Sequence, residues 1–272
     1  MIQTYQHDSV KGFRLARTLW NKGRYYTGCF FIDGLMIDTG CAYTIAELTT
    51  ALEGQSVHTV VNTHYHEDHV GANMVLTQKD SIVLASEQAC TIINGTTRRP
   101  PLMPYQRVLW GWPAPSTCTS LSKWVYTDHH HFQVIVTPGH SQDHICLYEP
   151  DEGWLFCGDA YVGGKDRVIR LDTDVCMLIA SLKKIASLPL NRVFTGSGSM
   201  VEDPATALAE KIDYLEQLGM MVKEYYHQGF SVNQIRKMVL GRHQMIYYFT
   251  QGHFSGNHLV MKYLNKELGK QM

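Results

Sequence analysis

Short apolar runs separated by glycine-bearing turns fill the chain up to about residue 160. The runs at residues 26–32, 35–37, 58–62, 82–85, 132–136, 145–148 and 154–157 have strand length and are rich in β-branched or aromatic side chains, which predicts strands. Between them, residues 44–52 have helical spacing, as do residues 175–188, which stop just before Pro189. After Asp203-Pro204 the pattern changes. Residues 205–222, 232–240 and 257–268 read as helices, the first opened by proline at an early helical position. Residues 95–120 carry Arg98-Arg99-Pro100-Pro101, Pro104, Trp110, Trp112, Pro113 and Pro115, which predicts a long, aromatic-bearing loop without regular structure.

Composition narrows the function classes. There are 24 Lys and Arg against 25 Asp and Glu, a formal net charge of -1, so no nucleic-acid-coating or polybasic membrane surface is implied. Hydrophobic residues make up 44% and charged residues 18%, the balance of an ordinary globular chain. No run approaches the roughly 18 apolar residues of a membrane helix, and residues 1–9 lack the basic-then-apolar pattern of a signal peptide. The expectation is a cytoplasmic protein acting on a small molecule, without nucleic-acid or membrane partners, with a homodimer left open. The seven cysteines are odd in number and contain no Cys-x-x-Cys pair, so reduced, mostly buried thiols are expected.

Histidine stands apart, with 14 in the chain. The run Asn62-Thr63-His64-Tyr65-His66-Glu67-Asp68-His69 follows a predicted strand and gathers three imidazoles and two carboxylates within six residues. His64 and His66 are two apart, so in extended backbone their side chains leave on the same face. Buried together without a cation such groups desolvate and repel one another, whereas a divalent ion offsets that cost by coordination. Two later segments, Thr137-Pro138-Gly139-His140 and Phe156-Cys157-Gly158-Asp159, place a histidine and an aspartate where apolar strands end.

These motifs resemble the metallo-β-lactamase fold superfamily, in particular its glyoxalase-II-like metal-dependent hydrolases. Leu35-Met36-Ile37-Asp38-Thr39-Gly40 is similar to an early strand-and-turn motif, His64 to His69 to the H-x-H-x-D-H signature, Thr137 to Ser141 to the third histidine motif, and Gly158-Asp159 to the bridging-carboxylate motif. The resemblance covers residues 25–205. It implies an α+β, four-layer αββα sandwich over residues 1–204, with residues 205–272 as a helical extension packed on it. It also implies a zinc site of one or two ions, with iron or manganese as alternatives. His64, His66 and His140 would hold one ion, Asp68 and His69 would face a second, Asp159 would bridge, and Asp38 would support from behind. Asp68 would orient or deprotonate a water that attacks a small ester, thioester or lactone.

One departure is informative. In Thr195-Gly196-Ser197-Gly198, Ser197 occupies the place of the family's last histidine, and a hydroxyl is a weaker zinc ligand than imidazole. His253 and His258 are substitutes within reach of the helical tail, although packing or capping accounts for them more economically. His144 is a candidate for a hydrogen bond at the pocket edge, and Asp143 for a carboxylate near the pocket or, more economically, for a turn residue. Tyr65, Trp110, Trp112 and Tyr161 are candidates for cleft walls or for packing. A single-iron persulfide dioxygenase using His64, His140 and Asp159, and a binding protein with a degenerate site, are the alternatives to a hydrolase.

Overall fold

The computed structural model describes residues 1–19 and 22–268. A first sheet begins with the hairpin β1 (Ile2–His7) and β2 (Val10–Leu15); a short ribbon, β3 (Thr18–Leu19) and β4 (Lys22–Gly23), leads to β5 (Thr27–Ile32) and β6 (Leu35–Ile37). The helix α1 (Ile45–Ala51) precedes β7 (Thr59–Val61), and α2 (Asn73–Thr77) precedes β8 (Ile82–Ala85). Then come α3 (Glu87–Ile93), α4 (Pro104–Leu109) and β9 (Thr119–Ser120). The strands lie in the order β1-β2-β5-β6-β7-β8-β9, antiparallel as far as β6 and parallel beyond it.

The second sheet contains β10 (Trp124–Tyr126), β11 (His131–Val136), β12 (Ile145–Glu149) and β13 (Trp154–Phe156), followed in the chain by the separate strand β14 (Ile169–Arg170) and by α5 (Val175–Ala186). It closes with β15 (Arg192–Phe194) and β16 (Met200–Val201), giving the order β10-β11-β12-β13-β15-β16 in which only β13 and β15 are parallel. The chain ends in α6 (Pro204–His227), α7 (Val232–Leu240), α8 (Met245–Phe249), β17 (Phe254–Ser255) and α9 (Gly256–Leu268), with β17 pairing back onto β14.

Alternation along the strands builds the layers. Phe30 and Ile32 of β5, Leu35 and Ile37 of β6, Ile145 and Leu147 of β12, and Trp154 and Phe156 of β13 face one another between the sheets. The residues between them in sequence point outward: Cys29 and Met36 join α1, α2 and α3, whereas Cys146, Tyr148 and Leu155 join α5, α6, α7 and α9. Both faces of each sheet are therefore covered, and the strands read as nearly continuous apolar runs. The result is the four-layer α+β sandwich with helices at its C-terminal end.

Three findings depart from the sequence reading. Residues 95–120 are not wholly irregular: Pro104 takes the first position of α4, where its missing N–H costs nothing, and Gln106 Oε1 accepts from the Met103 N–H at 2.7 Å. The β1–β2 hairpin lies outside the expected strands: β1 is polar with Gln3, Thr4 and Gln6 exposed, and β2, although its Val10, Phe13 and Leu15 are buried, is interrupted by Lys11, Gly12 and Arg14. Cys90 and Cys118 form a disulfide between α3 and the segment entering β9, a correction to the expectation of reduced thiols throughout. Their separation of 28 residues gives no local sign of pairing. Cys29, Cys41, Cys146 and Cys157 are buried free thiols as expected, whereas Cys176 is exposed. No helix among the described residues is long and apolar enough to cross a membrane.

The helix α6 begins cleanly, with the Asp203 carboxylate accepting from the Thr206 N–H at 3.1 Å and Pro204 at the first helical position. Its residues Leu208, Leu215, Leu218 and Val222 belong to the same core cluster as the outer face of the second sheet. Leu215 is fully buried there. Replacing it by alanine should lower unfolding free energy by about 2–5 kcal/mol. Chemical denaturation checks this, and a loss under about 0.5 kcal/mol, the range of surface changes, would place α6 outside the cooperative core.

Candidate metal centre

The residues singled out in the sequence meet at one edge of the sandwich, where strands give way to loops. Asp38 follows β6, His64 to His69 follow β7, His140 lies in the turn between β11 and β12, Asp159 follows β13 and Ser197 follows β15. Since β6 runs parallel to β7 and β13 parallel to β15, their carboxyl ends emerge together. Residues 62–70 have neither helical nor strand backbone, which frees their side chains to point inward from several directions.

A hydrogen-bond chain fixes the ring nitrogens. Asp38 adopts a left-handed backbone, φ 58°, with its carboxylate turned inward. Its Oδ1 accepts from the Thr63 N–H at 2.8 Å, and its Oδ2 accepts from the Thr63 hydroxyl at 2.8 Å and from His69 Nδ1–H at 2.7 Å. With its proton committed to Asp38, the Thr63 hydroxyl is left to accept from His64 Nδ1–H at 2.9 Å. One buried carboxylate thus assigns the tautomer of two imidazoles and turns the Nε2 lone pair of His64 toward the site.

His64 Nε2 lies 2.9 Å from His66 Nδ1, which lies 3.0 Å from His140 Nε2. A neutral imidazole carries one proton, so protons on these atoms cannot satisfy the whole triangle, and lone pairs face each other across it. A zinc ion with bonds of about 2.0–2.1 Å would turn that repulsion into coordination, because ligands of a tetrahedron around it stand roughly 3.3 Å apart. The three residues therefore fit a cation on geometry and on donor chemistry, and they converge as one ligand group. His64, His69 and Asp159 form a second group. His69 Nε2 lies 3.6 Å from Asp159 Oδ1 and 3.9 Å from Asp68 Oδ2, and Asp159 Oδ2 lies 3.4 Å from His140 Nε2, which places Asp159 between the two groups. The Nε2 atom of His69 is buried without a hydrogen-bond partner.

Ser197, half-buried, stands beside these groups with its hydroxyl 2.9 Å from Thr195 Oγ1 and 3.3 Å from Ser199 Oγ. His253 Nδ1 is instead 2.9 Å from the Tyr105 hydroxyl, and neither His253 nor His258 belongs to a convergent ligand group among the described residues. His144 has both nitrogens engaged: its Nε2 accepts from the Asp159 N–H at 3.2 Å, so its Nδ1–H donates to Thr137 Oγ1 at 2.9 Å. It anchors the backbone of Asp159 and is not free to coordinate. Asp143 is a buried support, with Oδ2 accepting from the Tyr65 N–H at 2.8 Å between His64 and His66. Gly196 packs so closely on Asp159 that a Cβ there would lie 2.1 Å from Oδ1. The sequence places these residues near the motifs, but only the folded contacts give them roles.

Without a cation, burial holds His64 and His66 well below the ordinary imidazole range, His140 at about 4 and His144 at about 3. Burial would also lower His69, yet the carboxylates of Asp38, Asp159 and Asp68 outweigh it and hold His69 well above. Burial lifts Asp68 to about 7 against the pull of His69, whereas for Asp159 the imidazoles of His69 and His140 overcome burial and keep it ionised.

A cavity of about 300 Å³ opens onto Asp68, His140, Asp159 and Ser197. Trp110 lines it, while Trp112 is exposed and Tyr161 is packed in the core.

The titration pattern sets the acid response of the metal-free protein. Below the unfolded imidazole value of about 6.5, the unfolded chain takes up protons at His64, His66, His140 and His144 that the folded chain refuses, so stability falls as pH falls. Asp68 acts oppositely between its unfolded value near 4 and its folded value, but one carboxyl is outnumbered by four imidazoles, and His69 is protonated in both states there. Melting of metal-depleted protein should therefore drop by several degrees from pH 7 to pH 5; a flat or rising melting temperature would show that these histidines are not buried neutral.

The sequence model of the metallo-beta-lactamase superfamily matches residues 26–97 and 108–197. A beta-lactamase-like protein 2 homolog of Drosophila melanogaster is 28% identical over 209 residues, covering 73% of this chain and 66% of that protein. A hydroxyacylglutathione hydrolase of Legionella pneumophila is 32% identical over 137 residues, covering 50% of this chain. The chain spans just under two thirds of the first relative's length and 46% of the second's. In three dimensions a beta-lactamase domain protein from Burkholderia ambifaria superposes with a TM-score of 0.73 over 96% of this chain and 87% of that one, at 15% identity, a likeness of fold. The chain belongs to the metallo-β-lactamase superfamily.

Proposed function

We propose that this member of the metallo-β-lactamase superfamily is a zinc-dependent hydrolase that uses water to break an acyl bond in a small ester, thioester or lactone. The observation that carries the reading is the convergence of His64 Nε2, His66 Nδ1 and His140 Nε2, whose atoms approach to 2.9 and 3.0 Å with too few protons to satisfy both contacts. An all-imidazole face suits zinc, and the likeness to a hydroxyacylglutathione hydrolase supports the acyl bond as target.

A divalent ion held there supplies polarisation of the substrate carbonyl and lowers the pKa of water toward neutrality. The protein's own groups do the rest. Asp68 lines the cavity beside the convergent nitrogens, where its carboxylate orients the attacking water and accepts its proton. Asp159, fixed through its own N–H by His144, keeps a negative charge facing His69 and His140. Asp38 and Thr63 keep the rings of His64 and His69 from turning, so the site needs no rearrangement when substrate arrives. As water adds to the carbonyl carbon, the bond to the leaving oxygen or sulfur breaks, and that atom takes a proton. At Ser197 a weakly coordinating hydroxyl favours one firmly held ion over two.

His66→Ala and His140→Ala should each lose the bound metal, measured by elemental analysis, and fall to background turnover. Full metal content with unchanged activity would remove the assignment. Ser197→His should raise metal stoichiometry from about one toward two per chain. Equal stoichiometry in both proteins would mean that Ser197 does not limit the second position. Iron in the purified protein, with oxygen uptake on glutathione persulfide and no acyl hydrolysis, would replace this reading by the dioxygenase.

A further inference from the structure

The cavity beside the metal centre has walls that the superfamily motifs do not supply. Tyr105 and Trp110 come from α4 and its end, and Ile246, Phe249 and Phe254 from α8 and β17, so two segments far apart in sequence build one apolar wall. The Tyr105 ring centre lies 6.0 Å from those of Trp110 and Phe249 and 6.2 Å from that of Phe254, a contiguous aromatic cluster. Phe249 is 47% exposed despite its contacts, so part of a large apolar surface faces open space at the cavity.

Two cations line the cavity among the described residues, and both are already matched. Arg170 is bound to Asp172 by two hydrogen bonds of 3.1 and 3.0 Å, with only 11% of its side chain exposed. Lys211, 2% exposed, lies 2.8 Å from Asp166 and donates to the carbonyls of Gly163 and Gly164 at 3.4 and 3.0 Å. Asp68 and Asp159 add negative charge at the reacting end. Away from the convergent nitrogens, where a bound ion would face the reacting carbonyl, a substrate carboxylate or phosphate would lose its water without gaining an unengaged side-chain cation, which disfavours it. An apolar group loses nothing polar and covers the aromatic wall. The volume of about 300 Å³ stands at the lower end of small-molecule sites, which suits an aryl or medium-chain acyl group better than an extended peptide conjugate.

We infer that the substrate of this site is a neutral acyl compound with a compact apolar acyl group, and not a glutathione thioester. The inference rests on the hydrolase reading for the bond that is cleaved, and on the cavity alone for the group that is held. The glutathionyl moiety carries two carboxylates and one ammonium, for which this cavity has no free cation to offer.

The test compares N-acetylcysteamine thioesters of acetic, octanoic and phenylacetic acid with S-lactoylglutathione. On the zinc-loaded wild type, kcat/KM for the octanoyl and phenylacetyl compounds should exceed the acetyl value by about 10-fold or more, with S-lactoylglutathione no better than acetyl. The fastest turnover on S-lactoylglutathione would overturn the inference. Binding of the same compounds to the Asp68→Asn protein, followed by tryptophan fluorescence, separates the two readings. If the wild type cleaves none of them but the apolar thioesters bind at least about 10-fold tighter than S-lactoylglutathione, the hydrolase reading fails and the cavity assignment stands. Equal or reversed affinities overturn the assignment. Phe249→Lys, at a half-exposed wall position, should cut the preference for octanoyl over S-lactoylglutathione about 10-fold, and an unchanged ratio would also overturn it.

Discussion

The Asp38 carboxylate, accepting hydrogen bonds from Thr63 and His69 behind the histidines, is the constraint on which the site depends. A carboxylate only accepts, so each donor around it is committed, and the commitment passes through the Thr63 hydroxyl to His64. Remove that acceptor and both rings gain a second tautomer and new orientations, and the lone pairs no longer have to face one point. The left-handed backbone at Asp38 is the local cost of aiming the side chain inward, sustained by the 2.9 Å bond from its N–H to the Val61 carbonyl.

The four layers make that arrangement stiff. Phe30, Phe132, Phe156 and Phe194 fill the space between the sheets, and helices cover both outer faces, so the strand ends bearing Asp38, Asp159 and Ser197 have little freedom relative to one another. Burial then works on the chemistry. It strips water from His64, His66 and His140, which keeps them neutral and ready to donate lone pairs, and it gives the carboxylates their strong coupling to His69. The C-terminal helices serve twice, since α6 and α9 share the core of the second sheet while α8 and β17 reach over the cavity.

Much of this was legible in the sequence because short, nearly continuous apolar runs and short-range motifs are local signals. The strands bearing Phe30, Ile145 and Phe156 declare themselves in this way, and the run from His64 to His69 marks the site, although residues 62–70 are neither strand nor helix, so the fold rather than the two-residue spacing sets the convergence of the rings. What was not legible depends on distant partners. For the Cys90–Cys118 bond, the hold of His144 on Asp159 and the seat of Asp143 under Tyr65, the sequence marks some of the residues but not which of them meet. The helix α4 was hidden because prolines that usually break helices include one that starts this one. His253 was a conceivable ligand in sequence, and its engagement with Tyr105 becomes visible only once the tail is folded against α4.

A crystal of the protein grown without added chelator, with diffraction recorded on both sides of the zinc absorption edge, tests the central claim most directly. The account predicts an anomalous peak bonded to His64 Nε2, His66 Nδ1 and His140 Nε2 at about 2.0–2.1 Å. A site without anomalous signal in protein shown to contain metal, or a cation held elsewhere while these three imidazoles turn away from one another, would contradict it.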